Sequence, residues 1–229
     1  MVLNGLQDYP CSARAARGCY STYRVGVKLL DRSGIFAGDD PFEIVAQWLA
    51  SAGETELSDP NAVSLATQGQ DGFPNVRVVL LKEIEDNAIV FYTNYTSTKG
   101  KELDASGVAA AGFHWKSLRR QIRFRGHIER VSPEQSDAYY HTRPLESRIG
   151  AWASLQSAAL ASRDELTQRI RDTETRFGNT PPRPAFWGGY RLIPVEIEFW
   201  ADGPFRLHDR FIWRRPGRSD PWTIARLSP

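Results

Sequence analysis

The sequence predicts a mainly β fold, an antiparallel barrel of Greek-key type with helices placed around it. Three observations carry this. Short runs rich in Val, Ile, Phe, Tyr and Trp are separated by turn-forming residues at intervals of about ten. One run, Arg119–Val131, alternates strictly, with Gln121, Arg123, Arg125 and His127 on one side and Ile122, Phe124, Gly126 and Ile128 on the other. Helical periodicity occurs only as insertions between such runs, not as a regular βαβ alternation.

Taken in order, the first helix starts at Asp40-Pro41-Phe42-Glu43, where an N-cap aspartate, a proline at the first helical position and a glutamate three after the cap coincide. Phe42, Val45, Trp48, Leu49 and Ala52 then form one apolar stripe. Ala62–Thr67 reads as a strand, and 69–74 as the turn into a hairpin. That hairpin pairs Val76–Ile84 with Ala88–Thr93 across Glu85-Asp86-Asn87. A short helix over Lys99–Ala105 and a strand over Val108–Trp115 follow, the latter rich in small residues that allow close backbone approach. After the alternating strand come a helix from Ser132 to Tyr140, an irregular stretch over 142–148, and a helix over Ser162–Phe177 with Leu166, Ile170 and Phe177 inward. Asn179–Gly189 reads as a linker between elements, and Tyr190–Trp200, Arg206–Arg215 and Trp222–Leu227 as closing strands.

Composition narrows the function classes. A chain of 229 residues supports one large domain whose core needs no disulfide or metal. Residues 39–229 are expected to form it, behind a mobile amino-terminal arm over 1–38. A formal charge of +2 is too small to imply nucleic acid by itself. No stretch approaches the roughly 20 apolar residues of a membrane span. Cys11 and Cys19 are not a disulfide framework, so a soluble cytoplasmic protein is expected. The opening residues carry Arg, Ser and Ala with almost no acid, a faint transit-peptide character that ranks behind a mobile arm. The four histidines show no metal-ligand spacing, so no metal is expected.

Cations and hydroxyls gather at the hairpin ends: Arg77 and Lys82 on the first run, Tyr92-Thr93-Asn94 closing the second, then Thr98-Lys99-Gly100-Lys101. Such groups hold phosphate, because guanidinium and ammonium supply charge while hydroxyls supply directed donors. Most such residues elsewhere are simply solvated. Tyr139 and Arg143 stand four apart, neighbours on a helix face or at its end. Arg206, His208 and Arg210 at alternate positions of an expected strand would share one face, with Phe205, Leu207 and Phe211 opposite.

The segment Glu198-Phe199-Trp200 followed by Arg206-Leu207-His208-Asp209-Arg210 brings in a family resemblance. With it go Arg77-Val78-Val79-Leu80-Leu81-Lys82, Phe91-Tyr-Thr-Asn94, Arg120-Gln121, Tyr139-Tyr-His-Thr-Arg-Pro144, Ser147-Arg-Ile-Gly-Ala-Trp152, Gln156-Ser157, Phe186-Trp-Gly-Gly189 and Arg226-Leu-Ser-Pro229. Each is weak alone, but together and in order they are specific. From about Asp39 to Pro229 the chain resembles the pyridoxamine 5'-phosphate oxidases, the FMN enzymes of vitamin B6 metabolism.

The resemblance implies an FMN-binding split barrel working as a homodimer, with FMN in clefts between subunits. It carries FMN contacts onto Arg77, Val78, Leu80, Lys82, Tyr92, Thr93, Thr98 and Lys99, and onto Gln121, Gln156, Ser157, Trp200 and Arg210, some reaching over from the partner. Lys82, Tyr139, Arg143 and Ser147 match the clamp on the substrate phosphate, and Arg206 with His208 the pair over the pyridine ring. The implied reaction oxidises pyridoxamine or pyridoxine 5'-phosphate to pyridoxal 5'-phosphate, with dioxygen as acceptor and hydrogen peroxide as product. Thr98 stands where many relatives have arginine, and Arg148 and Ala201 also depart from the pattern. Three rivals are weighed: a split-barrel oxidase of another aromatic substrate, a non-catalytic pyridoxal 5'-phosphate binding protein, and single-strand nucleic-acid binding by Arg119–Arg130. The last is disfavoured because Phe124 faces away from the arginines.

Overall fold

The computed structural model describes residues 32–229. Cys11, Cys19 and all but the end of the expected arm lie outside them. Eight strands form one antiparallel sheet: β1 (Ala62–Gln68), β2 (Pro74–Glu85), β3 (Ala88–Asn94), β4 (Val108–Trp115), β5 (Arg120–Arg130), β6 (Trp187–Ala201), β7 (Asp209–Arg214) and β8 (Thr223–Leu227). Their order is β3-β2-β1-β4-β5-β6-β7-β8, and a further β3–β6 pairing closes six of them into a barrel. Three hairpin-linked strands with a fourth returning beside the first make the expected Greek key.

The split in the barrel is made by β6. Its first half pairs with β3 over Trp187–Leu192, and its second half pairs on that edge with β7 over Glu196–Ala201. Pro194 falls between the two halves, where a missing N–H does no harm. The β5 register shifts between Arg125 and Gly126 at that point. A Cβ on Gly126 would lie 2.0 Å from the Ile193 carbonyl oxygen, so only glycine lets β6 bend there.

Five helices surround the barrel: α1 (Pro41–Thr55), α2 (Thr98–Ser106), α3 (Pro133–Thr142), α4 (Leu145–Ala153) and α5 (Arg163–Phe177). The Asp40 carboxylate caps α1 by accepting from Phe42 N at 2.8 Å, as the sequence predicts. Its stripe packs on the sheet through Trp48, whose ring meets Phe199 edge-on at 5.3 Å, and Phe199 meets Trp213 at 4.9 Å. The described end of the arm joins this cluster, with Phe36 buried against Trp48 and Phe211. No helix among the described residues is long and apolar enough to cross a membrane.

Four expectations are corrected. The stretch over 142–148 is not irregular throughout: α4 begins at Leu145, buries Ile149 and Ala153, and has no side-chain cap to announce it. The linker over 179–189 ends early, since Trp187-Gly188-Gly189 are already paired with Tyr92, Thr93 and Asn94. The strand expected from Arg206 begins at Asp209. Before it, Pro204–Arg206 is a single 3-10 turn with Phe205 and Arg206 at φ of 57° and 62°. The α5 stripe is also shallower than expected, with Leu166, Ile170 and Phe177 half-buried and Thr173 the residue it buries.

Candidate active site

A cleft of about 800 Å³ lies between the β2–β3 hairpin and the α3–α4 corner. β2 contributes Arg77, Val78, Leu80 and Lys82, and β3 contributes Tyr92 and Thr93. Lys99 enters from α2, Tyr139, Arg143 and Ser147 from α3–α4, and Gln156 from the loop after α4.

Local geometry explains the convergence. Proline disfavours the α conformation in the residue before it, and Arg143, which precedes Pro144, is extended (φ −74°, ψ 147°). That ends α3 and lets α4 restart at an angle, so Tyr139, Arg143 and Ser147, each four apart, face one space. Tyr140 locks the corner: its buried ring donates from the hydroxyl to the Arg148 carbonyl at 2.9 Å. On the opposite wall, Ser97 caps α2 by accepting from Gly100 N, and Tyr190 donates to Asp104 at 2.9 Å, holding α2 to β6.

The walls are aromatic and the ends cationic. Tyr92 and Tyr139 stack at 4.0 Å with planes 18° apart, and Trp187 continues the stack 5.6 Å from Tyr92. The Arg143 guanidinium sits 4.5 Å from the Trp187 ring centre. Its Nη1 is buried with no hydrogen-bond partner among the described residues, and burial draws the Arg143 pKa down. A buried cationic donor without an acceptor is costly, and an anion in the cleft would relieve it. Burial, with help from the Glu83 carboxylate that accepts its hydroxyl, drives the Tyr92 pKa up, so Tyr92 stays neutral. At the other end Lys99 donates to Gln156 Oε1 at 2.9 Å and Thr93 to the same oxygen at 3.2 Å. Burial and the nearby Arg77 lower the Lys99 pKa.

The remaining sequence-derived residues lie elsewhere on the protomer. Gln121, Trp200 and Arg210 line a smaller pocket of about 260 Å³ with Arg123, Glu198 and Pro229. Buried Glu198 pairs with Arg123 and, at 2.7 Å, with Arg210. His208 packs 4.6 Å from the Trp200 ring, with Nδ1 3.1 Å from Asp202 Oδ1. Arg206 does not share a strand face with His208: the left-handed backbone at Phe205 and Arg206 breaks the alternation and leaves Arg206 exposed. Phe205 and Leu207 are exposed at 95% and 67%, not packed opposite. Thr98 and Ser157 line neither cavity.

Sequence reasoning did not single out Glu83, Glu102 or Trp187. Trp187 belongs to the motif Phe186-Trp-Gly-Gly189 yet falls inside the linker expected over 179–189. Glu102 follows Lys99 by three on α2, a spacing that places both on one face.

Comparison with known proteins agrees with this picture. Residues 49–177 match the family model described as pyridoxamine 5'-phosphate oxidase, and residues 187–229 match the pyridoxine 5'-phosphate oxidase C-terminal dimerisation region. A pyridoxine/pyridoxamine 5'-phosphate oxidase of Cereibacter sphaeroides is 62% identical over 200 residues, spanning 87% of this chain and 100% of that protein. One of Ruegeria is 60% identical over 199 residues, spanning 87% and 99%. Among solved structures, PhzG from Burkholderia lata in complex with tetrahydrophenazine-1-carboxylic acid aligns at TM-score 0.78 and 33% identity, covering 84% of this chain and 94% of that one. A pyridoxamine 5'-phosphate oxidase-related, FMN binding protein from Nostoc punctiforme shares the fold at TM-score 0.66 and 17% identity, covering 86% and 100%. With these matches laid over a closed six-strand barrel and its cationic, aromatic cleft, the chain belongs to the pyridoxine/pyridoxamine 5'-phosphate oxidase family of enzymes.

Proposed function

We propose that this chain oxidises pyridoxamine 5'-phosphate and pyridoxine 5'-phosphate to pyridoxal 5'-phosphate, with FMN as cofactor and dioxygen as acceptor, releasing hydrogen peroxide. The carrying observation is the cleft itself: cations and hydroxyls stand at both ends of an aromatic wall, and buried Arg143 Nη1 lacks an acceptor. That chemistry suits two phosphorylated aromatic molecules side by side.

The residues fit FMN. Arg77, Lys99, Thr93 and Gln156 would hold its phosphate and ribityl chain and Val78, Leu80 and Tyr92 would flank it, while Thr98 and Ser157, outside the cleft lining, are assigned to FMN by the resemblance alone. The flavin, when bound, supplies the two-electron acceptor that no protein side chain provides. Lys82, Tyr139, Arg143 and Ser147 clamp the substrate phosphate, so the ring is oriented before reaction, which is catalysis largely by position. Tyr139, with its pKa raised first by burial, stays a neutral hydroxyl donor.

The protein works as a cytoplasmic homodimer in this reading, with residues 39–229 as one domain behind the arm. Gln121, Trp200 and Arg210, together with Arg206 and His208, then complete the cleft of the partner. Two observations support it: the match of 187–229 to a dimerisation region, and a sheet face left apolar by Val76, Val78 and Val108 at 72%, 64% and 42% exposure.

The test is optical. Purified protein loaded with FMN is yellow, bleaches on anaerobic addition of pyridoxine 5'-phosphate, and yields peroxide when air returns. A protein that refuses FMN, or one that holds it without bleaching, overturns the proposal. The likeness to PhzG favours a second reading, oxidation of another aromatic compound, and equal turnover of a substrate lacking phosphate would select it.

A further inference from the structure

Behind Arg77 lies a buried carboxylate with no part in the reaction described above. Glu102 on α2 is 5% exposed, a depth that glutamate reaches only when its charge is met. Thr67 of β1 donates its hydroxyl to Oε2, Arg77 Nη2 of β2 reaches Oε2 at 3.2 Å, and Asn75 Nδ2 reaches Oε1 at 2.5 Å. Arg77 Nη1 in turn donates to the Thr67 hydroxyl, so the four side chains form one closed network. Burial alone would raise the Glu102 pKa, but Thr67, Asn75 and Arg77 outweigh it and hold the carboxyl below its ordinary range. Lys99, one helical turn before Glu102, lines the same cleft as Arg77.

We infer that Glu102 is a positioning residue for the cofactor phosphate: it fixes the Arg77 guanidinium at the cleft and so gives the site its preference for a phosphorylated flavin. An unrestrained arginine loses rotamer freedom when it closes on a phosphate. One already clamped by a carboxylate has lost that freedom on folding, so binding is favoured by preorganisation. Glu102 offsets part of the Arg77 charge, while Lys99 keeps the end of the cleft cationic. The inference rests on the flavin reading of the cleft.

Glu102 also ties α2 to β1 and β2, so a purely structural role must be told apart. Wild type and Glu102→Gln are titrated with FMN and with riboflavin, reading quenching of flavin fluorescence, and melting temperatures are taken alongside. Glu102→Gln weakens FMN binding about tenfold or more, as loss of an outer partner to a ligand-holding group does, and leaves riboflavin binding within about twofold. Glu102→Asp recovers part of the lost FMN affinity. Should Glu102→Gln fold poorly, Thr67→Val, which keeps the side-chain volume and removes the bridging hydroxyl, shows the same selective loss. Parallel loss of both flavins means a structural role only and overturns the inference, as does unchanged FMN affinity in both variants. A wild-type protein that binds neither flavin overturns the cleft reading first, and this inference with it.

Discussion

Arg143 gives the sharpest test of the phosphate clamp. Its side chain is half-buried, its guanidinium stands 4.5 Å from the Trp187 ring, and its buried Nη1 has no acceptor among the described residues. No described protein group accepts from that donor, and on the proposed reading a substrate phosphate would do so. A hydrogen bond to a charged group contributes about 1.5–3 kcal/mol. Arg143→Ala therefore lowers kcat/KM for pyridoxine 5'-phosphate by roughly ten- to hundredfold. The contact with Trp187 exists with or without substrate, so its loss cancels from the binding comparison. Most of the effect falls on KM, because the phosphate is held alike in the ground and transition states. Steady-state kinetics with pyridoxine, which has no phosphate, provide the control: that activity is low in wild type and no lower in the variant. Arg143→Lys restores only part of the loss, since a point charge lacks the planar fork and the stack. Equal losses on both substrates, or no loss on either, refute the reasoning.

Other consequences are checkable with simple assays. Arg206→Ala is expected to copurify yellow and lose about tenfold or more in turnover, through misorientation of the ring; unchanged turnover removes Arg206 from the mechanism. Gly100→Ala places a Cβ 2.3 Å from the Tyr95 carbonyl oxygen, a rigid backbone neighbour, so unfolding in urea should come earlier by about 1–3 kcal/mol; coincident curves would disprove the clash. Because the folded-state pKa of Glu102 lies below its ordinary 4.5, its contribution is complete above that value and is lost as pH falls through the folded-state value. The stability gap between wild type and Glu102→Gln should thus narrow on acidification from about pH 7 to about pH 3, and a constant gap would show that ionisation is not its source.

Much of the barrel is legible from local patterns. Alternation along Arg119–Val131 becomes β5 with Ile122 and Phe124 fully buried, because side chains in a strand must point to opposite faces whatever lies beyond them. Asp40-Pro41 starts α1 because cap and ring act within one turn. The site residues follow largely from motifs and a resemblance, and the structure brings eleven of them to one cleft: Arg77, Val78, Leu80, Lys82, Tyr92, Thr93, Lys99, Tyr139, Arg143, Ser147 and Gln156.

Other features had no local signature. α4 follows a proline and has no capping side chain, so its start is set by the corner with α3 and by burial of Ile149 and Ala153. The left-handed turn at Phe205 and Arg206 breaks the expected run of Arg206, His208 and Arg210, and the tight return at Gly203, where a Cβ would lie 2.1 Å from the Leu207 carbonyl oxygen, explains it only in three dimensions. Glu102 reads in sequence as a surface helix position, yet it meets Thr67, Asn75 and Arg77 from two strands 25 or more residues away. Strand alternation, helix starts and the side chains suited to phosphate can be read along the chain, because they depend on neighbours in sequence. Which carboxylates are buried and which cations they hold is set by the folded chain, because burial and charge pairing depend on distance through space.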